Sequence, residues 1–567
     1  MRNSMKKLIS FVLLSATAFS TVACKGDDNS DKATLHIYSF TSGFGDEWLT
    51  SLIADYEERM KDVEIDGKKG IHIEPTAIGQ DVHGSDMASR DEVIYFLEQQ
   101  NYYELLAGNY IADISDAITQ PNPYDEGGKT LESKMFADQK SYLSRQVNGK
   151  TAYYAYPHYF TSFGIVYDVE LFDTKGYYLV EGYEGYDAAT QLDYMFVGNT
   201  TGSTKTAGPD GQKGTPDDGL PTTYDEFFLL CDYINSKSDN PLIWSGQHRR
   251  AYLTHFINAL ATDYEGYEQM RLNFTFDGTA TNLGKEEGGQ FVKDAEGTVI
   301  DGTNGYEMAR QAGKYYAMDF YSNLLNKSYI NDKKATLYSS TFSHQDAQAE
   351  FLKNPNLTNK NAMLLDGSWW EMEATTWFDG MAEINSAYSK QNKKYGWMPL
   401  PKQSADKVGE KSTMFDIMYP LCVMKNGVDT SSWQYKYAID FIQFANSDAQ
   451  LAKFTQITGC TKALNYSLTP DQYNLLTPYA KTFYNAYKAS DIVFPYAQNA
   501  LFANNQNTFK EIDGDGTGSP LYKSNADSIS KPFVASIESG AVTAGSYFNG
   551  MYGYFKDELS SIWKSVK

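Results

Sequence analysis

Residues 34–60 read TLHIYSFTSGFGDEWLTSLIADYEERM. Thr34 to Ser39 is a strand candidate, and it ends in a Ser/Thr/Gly loop from Thr41 to Gly45. Beyond the loop, Trp48, Leu52, Ile53, Tyr56 and Met60 recur at helical spacing. Working outward, Ile71-His72-Ile73 is a second short strand. Val93 to Leu97 (VIYFL) is a continuous apolar run, as a strand covered on both faces would be. Tyr102 to Ala107 reads as a helix with Gly108 as its C-cap. Strand, helix, strand, strand, helix at this spacing predicts an α/β fold with a mainly parallel sheet. The same style returns at Gly164 to Tyr167 (GIVY), Tyr224 to Ile234 and Tyr435 to Ala445. Two regions interrupt it, 176–223 and 265–305. Both are rich in Gly, Thr and Asp and read as surface insertions, which loops tolerate at small entropic cost.

The chain has 567 residues, enough for two large lobes. Its net charge is −23, which excludes a nucleic-acid partner, because phosphate binding rests on an excess of Lys and Arg. Aromatic residues reach 15% of the chain, with 44 Tyr, 31 Phe and 8 Trp. Most rings at that density are core, and the remainder can stack on a ligand.

The first residues are a targeting signal. Arg2, Lys6 and Lys7 precede an apolar run from Leu8 to Phe19, too short to span a bilayer, which needs about 20 residues. Thr21-Val22-Ala23-Cys24 resembles a bacterial lipobox, although Thr21 stands where such boxes usually carry Leu. The resemblance implies a signal peptide over 1–23 and a lipid on Cys24, with a diacylglyceride and an added acyl chain such as palmitate. The alternative is an ordinary secretory signal in which Cys24 is incidental. Residues 24–32 are polar and read as a tether. Losing 1–23 removes those three cations and no acid, so the charge becomes −26. It also leaves Cys231, Cys422 and Cys460, an odd number that cannot form a closed disulfide framework.

Several segments in order carry a family resemblance. They include DEVIYFLEQQNYYELLAGNYIADISD (91–116), NGKTAYYAYPHYFTSFGIVYDVELFD (148–173), SHQDAQAEFL (343–352), AMLLDGSWWEMEA (362–374), YGWMPLPK (395–402), AIDFIQFANSDAQLAKFTQITGC (438–460) and DIVFPYAQNALF (491–502). With the opening stretch they resemble the extracellular solute-binding lipoproteins of carbohydrate ABC importers, distantly similar to maltose-binding protein. The resemblance implies a periplasmic-binding-protein-like fold of two α/β lobes joined by three crossovers, near 156–161, 414–422 and 491–497. Lobe one would be 33–157 with 420–490, and lobe two 162–414 with 495–567. It implies a monomeric, non-enzymatic binder, anchored to the membrane and facing outside the cytoplasm. Its partners would be a carbohydrate ligand and the permease subunits. A secreted carbohydrate-active enzyme and an oligopeptide-binding protein are the competing readings.

A sugar presents apolar C–H faces and a rim of hydroxyls, so its site needs aromatic rings and polar side chains on loops where strands end. Trp369 and Trp370 follow Gly367-Ser368 after an apolar strand. Neighbours in an extended segment point opposite ways, so one ring can face the cleft while the other packs inward. Trp244 stands at a similar strand-to-loop step, and Phe502 matches a stacking aromatic of the family loosely. Glu98, Gln99 and Gln100 follow the strand 93–97; Phe40, Thr41 and Phe44 follow the first strand; Tyr159 lies at the first crossover. For each of these, plain packing or solvation is the other reading. Asp210, Asp217 and Asp218 crowd one loop and could wrap a structural Ca²⁺, or could simply make turns. Asp513 to Thr517 (DGDGT) is a second, weaker case. No other cofactor is expected. There is no Gly-x-Ser-x-Gly elbow, His-Glu-x-x-His or phosphate loop, and no spacing singles out two acids as a glycosidase pair.

Overall fold

The opening strand spans Ala33–Phe40 (β1) and the helix after it Glu47–Met60 (α1), as the spacing of their apolar residues predicts. A computed structural model describes residues 29–41, 43–98, 102–199, 202–352, 359–495, 501, 504–513, 519–526, 528 and 530–565. The signal region, Cys24, Gln99, Gln100, Phe502 and 514–518 fall outside the described residues. The chain continues with β2 (Ile71–Ile78), β3 (Ile94–Leu97), α2 (Tyr102–Ala107), β4 (Ala155–Pro157) and β5 (Phe163–Asp168). Next come α3 (Tyr224–Ser236), β6 (Asn240–Ile243), α4 (Arg249–Met270), α5 (His344–Phe351), β7 (Asn361–Gly367) and α6 (Trp370–Glu373). Then follow β8 (Tyr395–Met398), β9 (Thr413–Phe415), β10 (Leu421–Met424), α7 (Trp433–Ala445), α8 (Asp448–Thr458), α9 (Pro478–Ala489) and β11 (Asp491–Val493).

Two sheets organise these elements. The first has the order β2-β1-β3-β10-β4, with β1 parallel to β2 and β3, and β10 antiparallel to β3 and β4. The second has the order β6-β7-β5-β8, with β6 parallel to β7, and β5 antiparallel to β7 and β8. Parallel pairing is therefore confined to β2-β1-β3 in the first sheet and to β6-β7 in the second, and neither sheet is mainly parallel. The reversals come from the crossovers. A strand arriving from the other lobe enters its sheet from the interlobe end, whereas β1, β3 and β7 finish there. β3 is buried along its whole length, which is why it reads as an unbroken apolar run.

The chain passes from β4 to β5 through 158–162 and returns from β9 to β10 through 416–420. At the same junction β11 pairs in parallel with β9, Thr413 opposite Asp491. One boundary differs from the expectation. Helix α9 falls within the span 420–490 assigned to lobe one, yet it packs on the second sheet. The Trp397 N–H of β8 donates to Thr482 Oγ1 at 2.8 Å, and the Trp397 and Phe483 rings meet at 5.1 Å.

Helix α2 ends on Asn109, whose φ of 54° places it in the left-handed region, rather than on Gly108. The Tyr110 N–H then reaches back to the Leu105 carbonyl at 3.0 Å. Both expected insertions are packed structures and not loose loops. In the first, Tyr177, Leu179 and Phe196 are buried, and Phe196 stacks on Tyr233 of α3 at 4.1 Å. The second begins in the last turns of α4, which the sequence reading left unassigned. It continues as paired strands, among them Gly284–Glu287 with Gln290–Lys293. Gly288 and Gly289 turn that hairpin with φ of 63° and 84°, the left-handed pair a two-residue turn requires. The buried middle of α4 carries Asp263, whose two carboxylate oxygens each lie 2.9 Å from Lys402 Nζ. Asp263 also accepts the Thr413 N–H at 3.1 Å, which ties β9 to the second lobe. Cys231 on α3, Cys422 on β10 and Cys460 after α8 are buried and unpaired.

Candidate ligand cleft

Loops from both lobes meet at the ends of β1, β3 and β7 and border a partly open cavity of about 310 Å³. Such positions, outside the carboxyl ends of strands, are where open α/β sheets hold ligands. The first lobe supplies Phe40, Thr41, Gly43 and Phe44 after β1, and Glu98 after β3. The crossovers supply Tyr159, Thr161 and Met418. The second lobe supplies His248 and Tyr252 at the start of α4, His344 at the start of α5, Trp369 after β7 and Glu373 at the end of α6. Six residues singled out from sequence, namely Phe40, Thr41, Phe44, Glu98, Tyr159 and Trp369, are thus brought together. A cavity of about 390 Å³ lies by Trp397, Pro399, Leu400 and Met414, lined by the second lobe and the β9 junction and not by both lobes.

The lobe-one wall is held by ring packing. Tyr159 meets Phe44 edge to face at 4.5 Å, and Phe44 meets Phe454 of α8 at 5.8 Å. The Tyr159 hydroxyl donates to Glu98 Oε1. Burial pushes the Glu98 carboxyl up to about 7; the Tyr159 bond opposes this, and Asp81 nearby adds to it. The Glu98 N–H in turn donates to Asp81 Oδ1 at 3.0 Å. A carboxyl with a raised folded pKa keeps a proton that the unfolded chain has already released. Its stabilisation is therefore fullest below its ordinary 4.5 and is lost as pH rises through about 7. Glu98→Gln is accordingly expected to lose less melting temperature than wild type between about pH 5 and pH 8. Equal slopes for the two proteins would contradict the assignment.

The lobe-two wall is a polar chain. His344 Nε2 lies 3.2 Å from Glu373 Oε1, and Gln348 donates to Glu373 at 2.7 Å and to Asp366 at 3.1 Å. The bond to Glu373 raises the His344 pKa, whereas burial and His344 itself lower that of His248, whose ring is 5.5 Å away. Burial beside Glu373 also raises Asp366. Among the described residues no Lys or Arg lines the cleft. The wall therefore offers imidazoles, carboxyls and a phenol to hydroxyls, without the Lys or Arg that an acidic group would call for.

Other expected site residues lie elsewhere. Trp370 is core: its ring packs on Phe351, Phe378, Tyr395 and Tyr479 at centroid distances of 5.3–5.7 Å. The two indoles do diverge, but because Trp369 caps α6 and Trp370 begins it, not because the segment is extended. Trp244 is also fully buried, with its indole N–H donating to the Leu337 carbonyl at 3.1 Å. Its loop does reach the cleft, four residues on, through His248. Asp217 and Asp218 accept the backbone N–H groups of Asp210 and Gly214, and Asp210 accepts that of Gln212. The three carboxylates are thus engaged within their own loop. Among the described residues no group of three or more His, Cys, Asp or Glu is placed to hold a metal. His248, Tyr252, His344 and Glu373 were missed. The available signal was Ser343-His344 at the head of SHQDAQAEFL, a helix cap followed by a ring at the interlobe end.

No protein-family model matches the chain, and no curated protein matches it by sequence. Solved structures do match along almost the whole length. A chitin oligosaccharide binding protein is 14% identical, covers 94% of this chain and 100% of its own, and superposes with a TM-score of 0.52. The GacH receptor of Streptomyces glaucescens GLA.O is 12% identical, with 93% and 99% covered and a TM-score of 0.48. A structure described with xylan utilization by Caldanaerobius polysaccharolyticus is also 12% identical, with 92% and 99% covered and a TM-score of 0.49. The first likeness shows the fold: two α/β lobes with a cleft between them, as the sequence predicts.

Proposed function

We propose that the chain binds a sugar or oligosaccharide outside the membrane and delivers it to an ABC-type permease. The observation that carries this reading is the cleft itself. The Trp369 indole faces a lobe-one wall of aromatic side chains, with carboxyls and imidazoles between them and, among the described residues, no Lys or Arg. Rings serve the apolar faces of a sugar, and the polar groups serve its hydroxyls. The matched structure of the same fold is named for binding a chitin oligosaccharide, which supports the same class of ligand. The reading is of a binder and not an enzyme. What supports a binder is that the matched structure of this fold is named as a binding protein.

The test is calorimetry with a panel of neutral mono- and oligosaccharides, followed by chromatography of the mixtures. Saturable binding with the sugar recovered intact is expected. Cleavage products would favour a secreted carbohydrate-active enzyme, and binding of oligopeptides alone would favour the peptide-carrying alternative.

The anchor belongs to the same proposal. Among the described residues no helix is long and apolar enough to cross a membrane. Delivery to a permease nevertheless needs the protein to stay near the surface. Lipid on Cys24 would supply this, since two acyl chains hold stably where one holds only marginally. Cys24→Ser is expected to move the protein from the membrane fraction to the soluble one. Full membrane retention of that variant would remove the lipid from the proposal.

A further inference from the structure

The two walls of the cleft touch where Gly43, in the loop after β1, lies against the indole of Trp369 from the opposite lobe. A Cβ at Gly43 would sit 2.5 Å from Trp369 Cδ1 and 3.1 Å from Cγ and Nε1. No side chain fits at 43 while the ring is there. The benzene edge of the same indole rests on Gly367, where a Cβ would come within 2.2 Å of Cη2. One glycine from each lobe therefore seats one ring. Gly43 is not among the glycines with positive φ, so the turn does not demand a glycine there. The ring does.

With this contact made, the partly open cavity of about 310 Å³ remains beside it. Small-molecule pockets run from about 300 to 1,000 Å³, so this one is at the small end. A ligand stabilises a closed form only by its greater affinity for it, and the closing contact sets how much ligand the closed form can enclose.

We propose that Gly43 and Trp369 form the closing contact of the cleft, and that the chamber they close takes one or two sugar rings rather than a longer chain. This rests on the carbohydrate reading above. A methyl at position 43 meets a ring that is itself backed by Gly367. It therefore opposes the closed form and leaves the open form untouched.

The experiment uses the full chain and neutral gluco-, xylo- and N-acetylglucosamine series of one to six units. It measures affinity by calorimetry and compactness by small-angle scattering. Affinity should peak at one or two units. Gly43→Ala should weaken it about tenfold or more, keep the ligand-free melting temperature, and stay expanded at saturation. On a Trp369→Phe background, where the smaller ring leaves room, adding Gly43→Ala should cost much less, a coupling that a double-mutant cycle reads directly. Should Gly43→Ala alone not accumulate, the Gly43→Ala/Trp369→Phe pair carries the test, because it should fold and bind. Affinity rising through four or more units overturns the length limit. Gly43→Ala binding within twofold of wild type, or an equal loss on the Trp369→Phe background, overturns the closing contact. If no sugar in any series binds, the carbohydrate reading falls and this proposal falls with it.

Discussion

Trp370→Ala is expected to cost about 3–5 kcal/mol of stability, the range for deleting a large buried ring and leaving its cavity. Trp370 is fully buried, and four rings surround it: Phe351 from α5, Phe378, Tyr395 from β8 and Tyr479 from α9. Because α9 reaches the second sheet through this cluster, the hole cannot close by the shift of one neighbour. Cavities that cannot collapse sit at the expensive end of the range. Urea unfolding checks it, through a lowered midpoint at unchanged slope. Sugar affinity in the folded fraction should be unaltered. A midpoint equal to wild type would remove Trp370 from the core.

Trp369→Ala is expected to act on binding. Its ring borders the cavity and is seated on Gly43 and Gly367. Truncating a ring in a desolvated pocket costs about 2 kcal/mol or more of binding, roughly thirtyfold in affinity. Trp369 is itself only 8% exposed, so some stability is lost as well, and the affinity is read in the folded fraction. Calorimetry with whichever neutral sugar binds wild type measures the loss. An affinity within twofold of wild type would exclude the ring from the ligand. The pair of variants thus separates two adjacent residues of one type by two different observables.

What could be read from sequence follows from what each pattern encodes. Strand β3 was legible because burial on both faces leaves an unbroken apolar run, and α1 because one buried stripe recurs every three to four residues. Helix α4 was not legible. Its buried span carries Thr254, His255, Asn258, Thr262 and Asp263, which blur the apolar stripe, and burial of Asp263 is tolerated only because Lys402 meets it 139 residues away. Sheet direction was lost for a related reason, since crossovers are long-range events with no local signature. The loops at strand ends proved the useful guide to the cleft. They led to Phe40, Thr41, Phe44, Glu98 and Trp369, which border one cavity, although which side chain of a loop turns inward depends on backbone details that spacing does not hold. Trp244 shows this, being the first residue after β6 and pointing into the core while His248 reaches the cavity. Gly43 left no mark in sequence, because a missing side chain is informative only once its neighbour is known.

The three unpaired thiols carry a consequence of their own. Burial raises Cys422 and Cys460 to about 12 and Cys231 further, so none is a thiolate in the folded chain. Only thiolates react readily with alkylating reagents. Cys231 is fixed in a helix of the second lobe and Cys422 in the central strand arrangement of the first. The labelling rate of each therefore reports how often its own lobe opens, in one tube and without any introduced probe. Among the described residues no disulfide ties the two lobes or braces either one. Each lobe carries a clock for its own unfolding.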